Sequence, residues 1–237
     1  MAIKYSTRLE DGNMVNYYSL EEVAEIKIGK MMMNDKYFTR DGTPFITKET
    51  FKQLLTDNHI HLLPKINKNV QEHCTILQVP ANSILLNKIN LKGTYIYQCT
   101  TEVCIGHGIV AIIPNESLVV SDYLFHFFKW YQLNKKRCNI NRIMIDLPTI
   151  AIQYQVVQLL NAIQQLLVNK DSLITAVEEL PLYFSNISKL ARQQSKGLHQ
   201  GFEQLQYLYK ELLHKIFNDH FLKDVQEHNF FQRLNNL

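Results

Sequence analysis

Three side chains with metal-ligand chemistry stand close together in the stretch CTTEVCIGH: Cys99, Cys104 and His107. Thiolate and imidazole suit zinc, and a structural site takes four such ligands in a tetrahedron. A fourth ligand would have to arrive through folding, from Cys74 or Cys138. Structural zinc sites usually show two closely spaced ligand pairs, and only one is present here. The two cysteines lie in or beside predicted strands, where a small apolar residue is ordinary. His107, between Gly106 and Gly108, reads as a turn residue, and the His59/His61 pair has no adjacent nucleophile or carboxylate. The carboxylates in EVAE and VEEL fall on helical patterns as solvated faces. Neither a phosphate loop nor GxGxxG, GxSxG or HExxH is present. With eight glycines in the chain, close backbone approach to a phosphate-bearing cofactor is hard to build. The expectation is a chain without catalytic residues, metal ligands or a cofactor of its own.

Positive charge is the other chemistry on offer. Residues 129 to 142, KWYQLNKKRCNINR, hold five basic side chains and no acidic one, with Trp130 and Tyr131 among them. Lys65 and Lys68 lie in PKINK, and Lys88 and Lys92 in NKINLK. Phosphate neutralisation needs clustered Lys and Arg, and base edges are read by Arg, Lys, Asn or Gln. Lys65, Lys68, Lys88, Lys92, Lys135, Lys136, Arg137 and Arg142 are therefore candidate contacts to duplex DNA, with Asn87, Asn90, Asn139 and Asn141 nearby. The same charges also fit a solvated surface of unconnected lysines. The net charge of +3 permits a nucleic-acid partner without requiring one and speaks against an acidic DNA mimic.

These residues need elements to hold them. A chain of 237 residues, 46% apolar and 20% charged, is globular and long enough to bury a core. No secretory signal is visible at MAIKYSTRLEDG, and no run of eighteen apolar residues could span a membrane. A cytoplasmic location with reduced thiols is the expectation. YYSLEEVAEIKIGK predicts a short helical turn or the start of a strand, closed by Gly29. RDGTPF is a turn, and TKETFKQLL is a helix capped by Thr47. From 60 to 120 the pattern is β: CTILQV, SILLNKI, TYIYQCT and HGIVAIIP, separated by turn residues. SDYLFHFFKWYQL returns to helix, capped by Ser121, with Leu124, Phe127, Phe128 and Tyr131 on one face, and INRIMIDLP is a last strand.

After Pro148 the period changes. A heptad frame from residue 156 puts Val156, Ile163, Lys170, Val177 and Phe184 at a, and Leu159, Leu166, Leu173, Leu180 and Ile187 at d. Nine of these ten are apolar, so the seam Val156, Leu159, Ile163, Leu166, Lys170, Leu173, Val177 and Leu180 predicts a coiled-coil-like helix. Spanning 150 to 180, it would be about 45 Å long, more than the preceding residues can cover. Later helices, a second copy or another protein must supply the rest. Pro181 breaks it, a second piece starts near Leu182, and a third runs from about Leu198, with Gly197 and Gly201 marking an interruption. The expected fold class is α/β (α+β), a mixed globular domain over 1–148, then long helices over 149–222, then a tail over 223–237.

The order of motifs carries a resemblance. SLEEVAEIKIGK, the Gly42-Thr43-Pro44 turn, VPANSILLNKINLKGTYIY, CIGHGIVAIIPN with YLFHFF, and IDLPTIAIQYQVVQLL followed by the long stripe resemble the DNA specificity subunit of type I restriction–modification systems. ELLHKIFNDHF is similar to that family's usual end to its helical region. Leu147-Pro148 with Gln153 is the most specific element; Ala81 and Asn82 stand where a glycine neighbourhood is usual, and Ile152 where an acidic residue is common. The resemblance implies a target recognition domain followed by a spacer helix, in a half-length form that pairs as a homodimer. It implies no catalysis in this chain. S-adenosylmethionine and the adenine-methylating chemistry belong to a methyltransferase subunit, and a translocating endonuclease subunit joins some assemblies. A second function class, a coiled-coil scaffold that never touches DNA, fits the helical stripe equally well.

Overall fold

The computed structural model describes residues 5–8, 14–30, 37–57, 60–87, 95–134, 140, 143–170, 173–174 and 188–218. The fold is mixed α/β with a long C-terminal helix, and the chain divides into two units, Met1–Gln153 and Tyr154–Leu237.

The first unit is built on three small sheets. In the first, β1 (Tyr5–Arg8), β2 (Met14–Ser19) and β11 (Met144–Asp146) run antiparallel in the order β1-β2-β11. The second has β3 (Ala24–Ile28), β10 (Val110–Pro114), β7 (Ile84–Leu86) and β8 (Ile96–Gln98) in the order β3-β10-β7-β8. The third has β5 (Lys65–Ile66), β4 (Thr43–Ile46), β9 (Val103–Ile105) and β6 (Leu77–Val79) in the order β5-β4-β9-β6, with β4 and β9 parallel. The pairings β2 with β11, β3 with β10 and β4 with β9 are nested one inside another along the chain.

Strands alternate their side chains between two faces, and the third sheet uses both. Ile46, Val79, Val103 and Ile105 join Leu85, Tyr97 and Ala111 of the second sheet and Phe51 and Leu54 of α2 (Lys48–Asp57) in one buried cluster. Phe45, Ile66, Ile76 and Cys104 form a second cluster, against which Val70 and Cys74 of α3 (Lys68–Cys74) pack. Burial on two faces explains why β9 reads Val-Cys-Ile without a polar residue.

Local chemistry fixes the ends of these elements. At α1 (Leu20–Val23), the Glu22 carboxylate accepts from both the Ser19 backbone N–H (2.7 Å) and its hydroxyl (2.9 Å). At α2, the Thr50 N–H donates to the Thr47 hydroxyl (3.3 Å) and the Thr47 N–H to the Thr50 hydroxyl (2.9 Å), as the predicted cap requires. Asn82 has φ of 64°, a left-handed conformation that Asn tolerates, so it replaces a turn glycine at small cost. Gly29 is needed for space: its N–H donates to the Ile109 carbonyl at 2.8 Å, and a Cβ there would lie 2.1 Å from the Gly106 carbonyl oxygen.

Two predicted stretches come out differently. The span 60 to 120 is not all β. Asn67, Val70 and Cys74 set up α3 there, the first as its cap and the other two on one face, and Ile60–Leu62 form a 3-10 turn. The final helix of the described residues, α6 (Ser188–Asn218), runs unbroken through Gly197 and Gly201. Mid-helix glycine costs only about 1 kcal/mol relative to Ala, which 31 helical residues, about 46 Å, absorb.

The helix launched after Pro148, α5, spans Ile150–Val168, followed by a turn at Asn169, with Leu173 and Ile174 helical beyond it. The predicted span 150–180 runs on into 171–172 and 175–180, which lie outside the described residues, and α5 itself is described to Val168. Its buried residues in the second unit are Val156, Val157, Leu160 and Ile163, a globular-helix stripe one position wider than the heptad seam. α4 (Ser121–Asn134) buries Leu124, Phe127, Phe128 and Tyr131 as its pattern predicts.

Candidate nucleic-acid interface

Of the predicted contacts, the described Lys65 and Lys68 lie at one edge of the third sheet. β5 is the edge strand and carries Lys65, half-buried, with its carbonyl accepting from the Thr39 N–H at 2.9 Å. The Thr39 hydroxyl donates to the Asp41 carbonyl at 2.6 Å and to the Lys65 carbonyl at 3.3 Å. That bridge seats the bend Arg40–Gly42 on β5. Gly42, with φ of 137°, is required: a Cβ would lie 2.3 Å from the Ile66 carbonyl oxygen. The exposed Arg40 is thereby brought to the edge that holds Lys65, and Lys68 opens α3 immediately after it. Exposed Asp41 and Glu72 share this surface. Sequence reasoning overlooked Arg40 because it sits inside a turn motif; the pairing Thr39–Lys65 is what makes it a neighbour.

α3 is short but held at both ends. The Asn67 side chain accepts from the Val70 N–H (2.9 Å), and the Gln71 side-chain amide donates to the Ile66 carbonyl (3.2 Å). At the other end the Ile76 N–H reaches the Gln71 carbonyl (3.1 Å) and the Thr75 N–H the Glu72 carbonyl (3.4 Å), the pattern of a Schellman cap. Thr75 takes the left-handed position with φ of 52°, costly for a β-branched residue. Thr75→Gly should stabilise the protein by about 0.5–1 kcal/mol in urea unfolding; a loss of stability would mean that the Thr75 side chain makes up for its strain.

The other predicted contacts are distributed differently. Lys88, Lys92, Lys135, Lys136, Arg137 and Arg142 lie outside the described residues, as do Asn90, Asn139 and Asn141. Lys129, first of the basic run, sits 4.4 Å over the Phe125 ring, and burial lowers its pKa to about 8. Trp130 and Tyr131 are buried and pack with Phe127, so these rings are core rather than a platform for bases. Asn87 is buried, its side-chain oxygen accepting from the Tyr95 N–H at 2.8 Å across the β7–β8 connection.

Cys99 and Cys104 belong to different clusters, on opposite faces of the third sheet. Burial pushes both thiols up to about 12, which disfavours the thiolate a metal needs. His107 is exposed, and no group of three or more His, Cys, Asp or Glu side chains among the described residues could hold a metal.

Gln153 has a structural task that its sequence signal did not disclose. Its side chain is fully buried. Oε1 accepts from the Val120 N–H at 2.8 Å, and Nε2 donates to the carbonyls of Leu118 (3.1 Å) and Pro148 (3.0 Å). One side chain thus ties the first turn of α5 to the segment that leads into α4.

Among the predicted seam residues, Val156 and Ile163 are buried, Leu159 and Lys170 half-buried, and Leu166 and Leu173 exposed at 54% and 48%; the side chains of Val177 and Leu180 lie outside the described residues. None of the described helices is long and apolar enough to cross a membrane.

A family model for the type I restriction modification DNA specificity domain matches residues 13–179. No curated protein matches the chain. Among solved structures, it is similar to the HsdS subunit from Thermoanaerobacter tengcongensis, at 19% identity and a TM-score of 0.44, over 85% of this chain and 44% of that one. A chain from work on complex assembly and conformational transition of the type I R-M system matches at 18% identity and a TM-score of 0.45, over 84% and 44%. The type I restriction-modification system S subunit from M. genitalium matches at 12% identity and a TM-score of 0.43, over 77% and 48%. The chain therefore spans less than half the length of each solved chain it matches.

Proposed function

The chain belongs to the type I restriction modification DNA specificity family, and from that membership we propose that it is the non-catalytic subunit that recognises a DNA sequence for a partner methyltransferase. The match of the family model across residues 13–179 is the observation that carries this reading. The basic edge formed by Arg40, Lys65 and Lys68 supports it, since backbone phosphates supply most of the affinity for duplex DNA. S-adenosylmethionine belongs to the partner methyltransferase, and an endonuclease subunit completes a restricting assembly. The complex acts on DNA in the cytoplasm. Lys88, Lys92, Lys135, Lys136, Arg137 and Arg142 remain proposed contacts on the sequence argument alone.

The domain plan remains a recognition domain over 1–148, spacer helices over 149–222 and a tail. A second copy of the chain supplies the other half-site, so that two recognition domains read an inverted repeat. The exposed Leu166 and Leu173, one heptad apart on the predicted seam, favour this pairing, because apolar side chains on one helix face gain from a partner surface. The same residues favour the alternative of a helical scaffold without DNA.

Duplex binding by the full-length chain with its methyltransferase tests both. Arg40→Gln, Lys65→Gln and Lys68→Gln together should weaken binding about tenfold at moderate salt and lower the salt slope by about 3, with unchanged circular dichroism. Unaltered binding removes this edge from the interface. A wild-type chain that self-associates but binds no duplex at any salt leaves only the scaffold.

A further inference from the structure

We propose that α3 is the element that reads base edges, lying in the major groove of duplex DNA with Asn69 and Glu72 towards the bases. This rests on the DNA-recognition reading above and names the part of the chain that performs it.

The helix has two unlike faces. Val70 and Cys74 pack on the cluster of Phe45, Ile66, Ile76 and Cys104. Lys68, Asn69, Glu72 and His73 are exposed, at spacings of three and four that place them on one side of the helix. Among the described residues none of these four side chains has a hydrogen-bond or salt-bridge partner. Their polar groups are therefore uncommitted within the described protein.

The residue types match the groove's donor and acceptor code. Asparagine pairs with adenine N6 and N7, and a carboxylate accepts from cytosine N4. Seven helical residues are about 10 Å long, and the major groove is about 12 Å wide and admits a helix. Cationic groups stand at both ends of α3, where a helix in the groove would meet the phosphates. Arg40 and Lys65 flank its start. At its other end, Lys30 lines an open groove of about 630 Å3 with Ile28, His73, Cys74, Thr75 and Leu77.

Capping at both ends fixes the backbone of α3 before binding, so little ordering is left for the complex to impose. α4 leads into the larger basic run, but it turns Trp130 and Tyr131 into the core and folds Lys129 over Phe125.

The test uses host cells that carry the full-length chain and its methyltransferase, with the adenine-methylation motif read by sequencing the genome. The wild type should give one defined motif that disappears when the gene is deleted. Asn69→Ala and Glu72→Ala should each relax one base position, with preference there falling roughly tenfold or more. An unchanged motif in both variants overturns the assignment to α3 and leaves DNA recognition by the chain intact. Absence of any wild-type motif overturns the recognition reading itself and this assignment with it. Should a variant abolish methylation, its purified form is titrated with the wild-type motif and a scrambled duplex. Equal affinity for the two supports the assignment, and retained discrimination overturns it.

Discussion

Replacing Gly29 with alanine should cost at least about 3 kcal/mol, seen in urea unfolding and as a fall of roughly 10 °C in melting temperature. Gly29 does not have the positive φ that would itself demand glycine, so the backbone conformation survives the change. The loss comes from collision. The new methyl would sit 2.1 Å from the Gly106 carbonyl oxygen and 2.8 Å from its carbon, and backbone cannot rotate away as a side chain can. The turn at Gly106 joins β9 of the third sheet to β10 of the second, so relief requires the two sheets to shift against each other. The same substitution at Gly197, in the open on α6, should instead stabilise by up to about 1 kcal/mol through helix propensity. Equal effects at the two sites would remove the steric account.

Gln153→Leu is expected to be nearly as damaging, at about 3 kcal/mol. Leucine keeps most of the volume but leaves the Val120 N–H and the carbonyls of Leu118 and Pro148 without their partner. A buried polar group stripped of its hydrogen bond loses more than the bond was worth when made. Gln153→Glu separates this account from mere packing. Its carboxylate would face two carbonyls in a fully buried site, so its folded pKa must rise above the ordinary value of about 4.3. The penalty should therefore be large at neutral pH and shrink as pH falls and the carboxyl protonates in the folded state. A pH-independent penalty would show that the amide's hydrogen bonds are not what the site requires.

The parts legible in the sequence share a cause. Leu147-Pro148 with Gln153, the Thr47 cap and the apolar face of α4 are local signals, each set by neighbours within one or two turns. α3 escaped notice because it is seven residues long, lies within a β-rich region and is amphipathic through only Val70 and Cys74. Gly197 and Gly201 read as an interruption, yet propensity at two positions did not outweigh the rest of a 31-residue helix. In the candidate interface, Lys65 and Lys68 were visible as basic residues, while Arg40 required knowledge that Thr39 pairs with a strand 26 residues away. Trp130 and Tyr131 stand among lysines in the sequence, and only their burial assigns them to the core. Long-range pairing and burial are what a single sequence does not print.

The nested pairing of β4 with β9, β3 with β10 and β2 with β11 has a consequence for how the chain is made. Each early strand waits for a partner that leaves the ribosome later, and the outermost waits longest. With about 125 residues between the end of β2 and the start of β11, synthesis at roughly 5–20 residues per second delays that closure by about 6–25 s. The nested pairings thus close from the inside outwards, β4 on β9 first and β2 on β11 last.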